Sequence, residues 1–351
     1  MKFIKRLISW TIIPVIISFS ILFYVENFYL GTEKNLNINK VEEKDNNIKK
    51  DVKLDIPASA DNIGVSYNGE YFSYIEDGQL SIVETNSKKN KTIDINDGEI
   101  NYSVWLPDRN IFIIAEKVQG QNSPYLRFYS YDSERGEKTQ LADNNNKKTI
   151  INLQSSGYNI KDIALSTSTN TMYVRIENGY NRSIVYRINT MAELEKKYDV
   201  GSDIEKIGIM NSEDRLIYED NINHKIHIES KQDQGISIEE GRNYSLLGVD
   251  EGDIVYTGRV SLDNEKNIDR ITYWNAGESN TTRKELDLQI PVPKDSIYVL
   301  NNGKVFANYK DKKVLRNVIN GKEYAYKGKL TSVYSGGIAY IYNGKLEIKS
   351  F

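Results

Sequence analysis

Few side chains in this sequence have the type and spacing for bond-making chemistry. The two histidines, His224 and His227, fall in the run NINHKIHI at residues 221–228. Read as a strand, that spacing sends the imidazoles to opposite faces, where they cannot share a metal ion. Both are expected as surface strand residues, and acid–base work would fall to carboxylates. Carboxylates cluster at Glu42-Glu43, Glu239-Glu240 and Asp250-Glu251-Gly252-Asp253. A glycosidase pair needs two carboxyls about 5 to 10 Å apart across a pocket. Asp and Gly in the last cluster are instead ordinary residues of a tight turn. Asp94, Asn96 and Asp97 imitate a calcium loop, but Gly98 stands in the fifth position and the register fails. No P-loop and no strand-linked G-x-G-x-x-G is present, so a nucleotide site is unsupported. The chain contains no Cys, which excludes thiol catalysis, Cys-ligated zinc, iron–sulfur clusters and a cysteine-linked lipid anchor. The expectation is a protein with no catalytic residue, no metal and no cofactor.

The elements that would position any site come from a repeat. Residues 66–74, SYNGEYFSY, are followed by Asp77-Gly78 and then QLSIV at 79–83. Gly-containing turns between β-branched and aromatic runs are the signal for consecutive hairpins. Weaker copies recur at residues 107–113 (PDRNIFI), 168–174 (STNTMYV), 212–218 (SEDRLIY), 250–256 (DEGDIVY), 301–306 (NNGKVF) and 335–340 (SGGIAY). Seven copies between residue 62 and residue 351 give about 41 residues per unit. That period, with four strands per unit, predicts an all-β, seven-bladed propeller. The last unit holds only three strands, at 330–334, 338–342 and 345–350. Residues 51–56, DVKLDI, alternate apolar and polar and are the candidate for its missing fourth strand. Pairing the two chain ends would remove two open sheet edges. Pro57, Pro107, Pro124, Pro291 and Pro293 are expected in turns or between blades. Residues 191–197, MAELEKK, fit one helical turn or part of an outer strand.

The 66–74 turn resembles those of TolB and the N-terminal propeller of dipeptidyl-peptidase-IV, which read roughly S-x-[DN]-G-x-x-[FILV]-[AS]-Y. It matches every element of that pattern, and residues 335–340 match part of it. The resemblance implies architecture. It implies no peptidase activity, because no G-x-S-x-G elbow is present.

Within this frame the 25 Tyr read first as strand formers packed between sheets. Tyr102 and Trp105, on the innermost strand of the second unit, point to opposite faces, so at most one could line the central channel. The longer loops at residues 118–124 (VQGQNSP) and 258–269 (GRVSLDNEKNID) interrupt the turn between second and third strands of two units. Both should emerge on one face of the disc, where insertions commonly mark a binding surface. The candidate binding residues are therefore Tyr102, Trp105, Gln121, Arg259 and Asp263.

Residues 7–25, LISWTIIPVIISFSILFYV, carry no charge. About 20 apolar residues span the roughly 30 Å hydrocarbon layer. Leu7 and Val25 bound the segment, Trp10 and Tyr24 lie near its two interfaces, and Pro14 is tolerable in a membrane helix. Lys2, Lys5 and Arg6 precede it, which predicts a cytoplasmic N-terminus and an external propeller. The absence of a small-residue cleavage site favours an uncleaved anchor over a signal peptide. Residues 31–50 have the mixed charge of a solvated stalk. The expected organisation is a tip and anchor at 1–30, a stalk at 31–50 and the propeller at 51–351. A net charge of −3 supplies no basic field for nucleic acid. The Lys-, Ile- and Asn-rich usage suggests an AT-rich bacterial genome. The expected function is a non-enzymatic binding or scaffolding module of the cell envelope, whose partner is another envelope protein or a polysaccharide. The alternatives are a glycoside-active or lyase-like enzyme using channel carboxylates, and a subunit of an envelope assembly or export complex.

Overall fold

Strands such as Ile111–Gln119, Thr171–Glu177 and Val305–Tyr309 are buried on both faces, so each sheet has to be covered on two sides. A ring of sheets standing face to face satisfies that demand. In this computed structural model the described residues are 18, 22–24 and 51–351, the last range without 96, 180–181, 200–202, 230–234, 237 and 278–281. They form an all-β, seven-bladed propeller. After β1 (Val52–Asp55), the first sheet holds β2 (Asp61–Val65), β3 (Tyr71–Glu76), β4 (Gln79–Glu84) and β5 (Asn90–Ile93). The second holds β6 (Gly98–Trp105), β7 (Ile111–Gln119), β8 (Pro124–Asp132), β9 (Glu137–Gln140) and β10 (Ile150–Asn152). The third is β11 (Asn159–Ser166), β12 (Thr171–Glu177), β13 (Ser183–Ile188) and β14 (Leu194–Asp199). The fourth shows three named strands, β15 (Ile204–Ile209), β16 (Leu216–Asp220) and β17 (Lys225–Ile228), with a bridge from Ile226 to Ile236. The fifth is β18 (Tyr244–Val249), β19 (Ile254–Val260), β20 (Asn267–Asn275) and β21 (Lys284–Pro293). The sixth is β22 (Ile297–Val299), β23 (Val305–Tyr309), β24 (Val314–Asn317) and β25 (Glu323–Ala325). The seventh holds β26 (Lys329–Tyr334), β27 (Gly337–Tyr342) and β28 (Lys345–Ser350), and its outer strand is β1, antiparallel to β28 with Val52 opposite Ile348 and Asp55 opposite Lys345.

Among the described residues the apolar core is divided. Seven apolar clusters lie between neighbouring sheets. The cluster that closes the ring joins Leu54, Ile56, Ala339, Leu346 and Ile348 to Val65, Phe72 and Val83. Leu54 is only 2% exposed, so the apolar face of β1 is buried in this cluster while Lys53 and Asp55 face solvent.

Local chemistry explains the turns. In the 66–74 turn the Ser66 hydroxyl accepts from the Tyr71 N–H at 3.1 Å, and the Asn68 side chain accepts from the Glu70 N–H at 3.0 Å. Gly69 supplies the left-handed backbone, φ 79°, that the chain needs between them. Asp77-Gly78 and Asn343-Gly344 take the paired positive φ of a type I′ hairpin, which matches strand twist.

The structure departs from the sequence expectations in several places. The second sheet has five strands, because β9 and β10 both pair with β8. Pro124, Pro291 and Pro293 lie within strands and not in turns. Pro124 opens β8, and the other two sit in the outermost strand β21, positions where no ladder N–H is required. Residues 194–199 are the outer strand β14. His224 is in the turn before β17 with φ 52°, so the two histidines do not share a strand. Of the anchor residues, Leu7, Trp10, Pro14 and Val25 lie outside the described residues, as do residues 31–50 of the stalk. Tyr24 is helical with Leu22 and Phe23, and the three are 60–65% exposed. Among the described residues no helix is long and apolar enough to cross a membrane.

Candidate functional site

Strands alternate in direction from the inside of each sheet outward. Every turn between second and third strands therefore emerges on one face, with the connections that lead to the next sheet. The two loops expected there are shorter than the sequence suggested, because strand pairing runs into them. Val118 and Gln119 pair with Tyr125 and Pro124, and Gly258, Arg259 and Val260 pair with Ile271, Arg270 and Ile268. What remains is residues 120–123 in the second sheet and 261–266 in the fifth. Gln121 and Asp263 are exposed in these turns, in separate blades, and Arg259 is half-buried at the base of the second.

Arg259 braces the turn that carries Asp263. Its Nε donates to Asp269 at 2.8 Å and its guanidinium lies 3.6 Å from Glu239. The hydrogen bond to Asp269 raises the guanidinium further above its ordinary value. Arg242 donates to the Val260 carbonyl at 3.2 Å, and the Ser261 N–H donates to the Asn267 carbonyl at 2.8 Å. The result is a fixed turn that holds Leu262 in solvent at 77% exposure. The corresponding turn of the fourth sheet presents Ile222 at 61% exposure. It is organised by Asp220, whose Oδ1 accepts from the Ile222 N–H at 2.9 Å and the Asn223 N–H at 3.2 Å. Burial pushes the Asp220 carboxyl up, but these bonds, the Asn223 amide and the nearby His227 outweigh it and hold it below its ordinary value. Two large apolar side chains thus stand on rigid turns of consecutive blades, on the same face.

The aromatic pair sits elsewhere. Trp105 is buried between the first and second sheets, 4.8 Å from the Phe112 ring, and its indole N–H donates to Ser73 at 3.1 Å. Tyr102 leans the other way, against the cluster between the second and third sheets, where burial pushes its phenol up. A β-bulge between Ile100 and Tyr102 precedes the pair, and the register from Tyr102 to Trp105 is unbroken. Neither is brought beside Gln121, Arg259 or Asp263.

Sequence reasoning missed a set of buried and half-buried polar and charged groups near the inner strands. Glu219 accepts from the Leu246 N–H of the next sheet at 2.9 Å and from the Lys294 ammonium at 2.7 Å. Lys206 donates to the Leu247 carbonyl at 2.5 Å, and desolvation pushes its ammonium down against the pull of Asp162. Asp162 accepts from the Ile207 N–H at 3.1 Å, and Asn101 from the Ile160 N–H at 2.8 Å. The pattern is regular. Side chains of the second, third and fourth sheets each take a backbone N–H of the next inner strand, at or beside its bulge. Glu116 is likewise committed, to Arg127 at 2.8 Å and Lys138 at 2.5 Å. The turn acids Asp250 and Asp253 do more than turn the chain. Asp250 also accepts from Tyr256 at 2.9 Å, and Asp253 accepts from the Asn211 N–H at 2.5 Å and from Ser212, joining the fourth and fifth sheets. Among the described residues no three His, Asp or Glu are grouped as for a metal ion. A single polar residue in a strand carries no pattern in sequence, so only the inner-strand register could have exposed this arrangement.

Comparisons agree with the architecture. Two solved structures with similar folds are the Myceliophteria thermophila Cps50 (Swd1) β-propeller domain and a chain of the mitotic checkpoint complex. The first is 10% identical over 87% of this chain and all of its own, with a TM-score of 0.52. The second is 10% identical over 85% of this chain and 93% of its own, with a TM-score of 0.53. At that identity the likeness defines the class, a β-propeller, and nothing finer. No family model matches the chain, and no curated protein matches it in sequence.

Proposed function

We propose that this protein is a non-enzymatic scaffold that docks protein partners on the face carrying its second-to-third-strand turns, and that residues 7–25 hang it from a membrane with the propeller outside. The observation that carries the docking reading is the pair Ile222 and Leu262, exposed on braced turns of neighbouring blades. Exposed apolar side chains on a fixed frame are what a partner can bury without ordering a loop. The engagement of Glu116, Glu219, Asp250 and Asp253 by N–H groups, hydroxyls and cations supports binding over acid–base catalysis. The tether reading rests on the uncharged 19-residue run and its flanking Lys5 and Arg6. A membrane anchor raises the effective concentration of the docking face near membrane partners. Photocrosslinkers at Leu262 and, on the opposite face, at Asn302 test the docking half in cells. A discrete adduct from Leu262 alone supports it, and equal or no adducts refute it. Retention in an alkali-washed membrane pellet, lost when residues 1–30 are removed, tests the tether separately.

A further inference from the structure

On the same face, blades six and seven carry a different chemistry. The β23–β24 turn supplies Lys310, Lys312 and Lys313, the connection into β26 supplies Lys327, β26 begins with Lys329 and β28 with Lys345, all exposed. The backbone holds them together. The Tyr326 N–H donates to the Lys313 carbonyl at 3.0 Å, and a Cβ on Gly328 would overlap the Ile341 carbonyl. The Lys327 ammonium lies 5.4 Å from the centroid of the Tyr342 ring, and Tyr342 in turn pairs with Lys345. Three exposed carboxylates answer these six ammonium groups, Asp295 at 3.5 Å from Lys310, Asp55 at 3.3 Å from Lys345, and Asp311 in the turn itself, and the half-buried Glu347 is shared between Lys327 and Lys53. A net positive patch therefore stands on a chain whose overall charge is −3. Beside it, a cavity of about 270 Å³ opens between Ile290, Pro291, Pro293 and Tyr309, with Lys310 and Lys312 on its rim.

We propose that this patch and cavity bind an acidic polysaccharide. Every cation is Lys and none is Arg, which suits repeated, loosely placed anions better than the forked recognition of one carboxylate or phosphate. The Tyr342 ring, 36% exposed among the lysines, offers an apolar face to a sugar ring. The cavity gives the polymer a place to lodge one residue. Pro291 and Pro293 remove N–H donors from the β21 edge, so an extended peptide adding a strand there is disfavoured. This surface is separate from the Ile222 and Leu262 turns and stands whether or not the docking reading does.

The test is binding of the full chain, in detergent, to polygalacturonate, with dextran as the uncharged control. Binding to polygalacturonate that weakens with salt, and no binding to dextran, is expected. The triple substitution Lys312→Glu, Lys313→Glu, Lys327→Glu should weaken it at least about tenfold. Lys88→Glu with Lys89→Glu, on exposed positions of the opposite face, should leave it unchanged. Tyr342→Ala should weaken polygalacturonate but not polyglutamate. The proposal is overturned if the triple variant binds like the parent or both charge reversals lose binding equally. It is equally overturned if polyglutamate or phosphatidylglycerol vesicles bind more tightly than the polysaccharide.

Discussion

Glu219 and Lys206 show how single residues hold neighbouring blades in register. Glu219 is 4% exposed and satisfies a backbone N–H of the fifth sheet as well as Lys294. Replacing it with Ala orphans the buried Leu246 N–H and leaves the half-exposed Lys294 only Glu205, at 3.9 Å, and breaking a buried pair in this way costs about 3 kcal/mol. A fall in the urea midpoint of the Glu219→Ala variant by that equivalent is expected, and an unchanged midpoint would remove Glu219 from the account. Lys206 gives a pH signature. Its folded ammonium is more acidic than the ordinary 10.5, so the unfolded chain binds the extra proton below that value. This group therefore makes stability rise with pH in the window just under 10.5. The difference between the parent and Lys206→Met, measured by urea unfolding from about pH 8 to 10.5, should show that rise in the parent only.

At the scale of elements, small residues on inner strands let the blades close in. A Cβ on Gly208 would come within 2.8 Å of Val249 in the next sheet, and one on Gly248 within 3.0 Å of Val299. Gly208→Val should cost about 1–3 kcal/mol through overpacking, read as a lower melting temperature. Val at the exposed, unobstructed Gly179 should cost less. Much of this level was legible in the sequence. The Asp77-Gly78 hairpin and the SYNG turn announce themselves because each residue has a local job in the turn. The outer strands were harder. Pro291 and Pro293 looked like punctuation, yet a strand edge tolerates them, and the loop around Gly258 is shorter because β19 and β20 pair further than their polar residues suggested. Trp105 could be placed on an inner strand from its register, but its burial against Phe112 depends on the neighbouring blade, which local sequence does not describe. The same holds for Glu219 and Lys206.

For the whole molecule, the central claim is that the propeller is a ring clasped by its own two ends. Seven inter-sheet clusters hold the ring, and only one of them joins residues from both ends of the propeller. That junction rests on β1, whose Lys53 faces Glu347 across the strand pair with a 2.9 Å ion pair. The sequence contains no Cys, so a cysteine pair placed there has no competitor. Lys53→Cys with Glu347→Cys puts two thiols on facing residues, at a separation a disulfide spans. The account predicts that the bond forms under mild oxidation and that the oxidised form unfolds at higher urea than the reduced form, by the equivalent of up to about 4 kcal/mol for so long a loop. Thiols that stay free under oxidant, or oxidised and reduced forms that unfold together, would contradict the clasp and the propeller built on it.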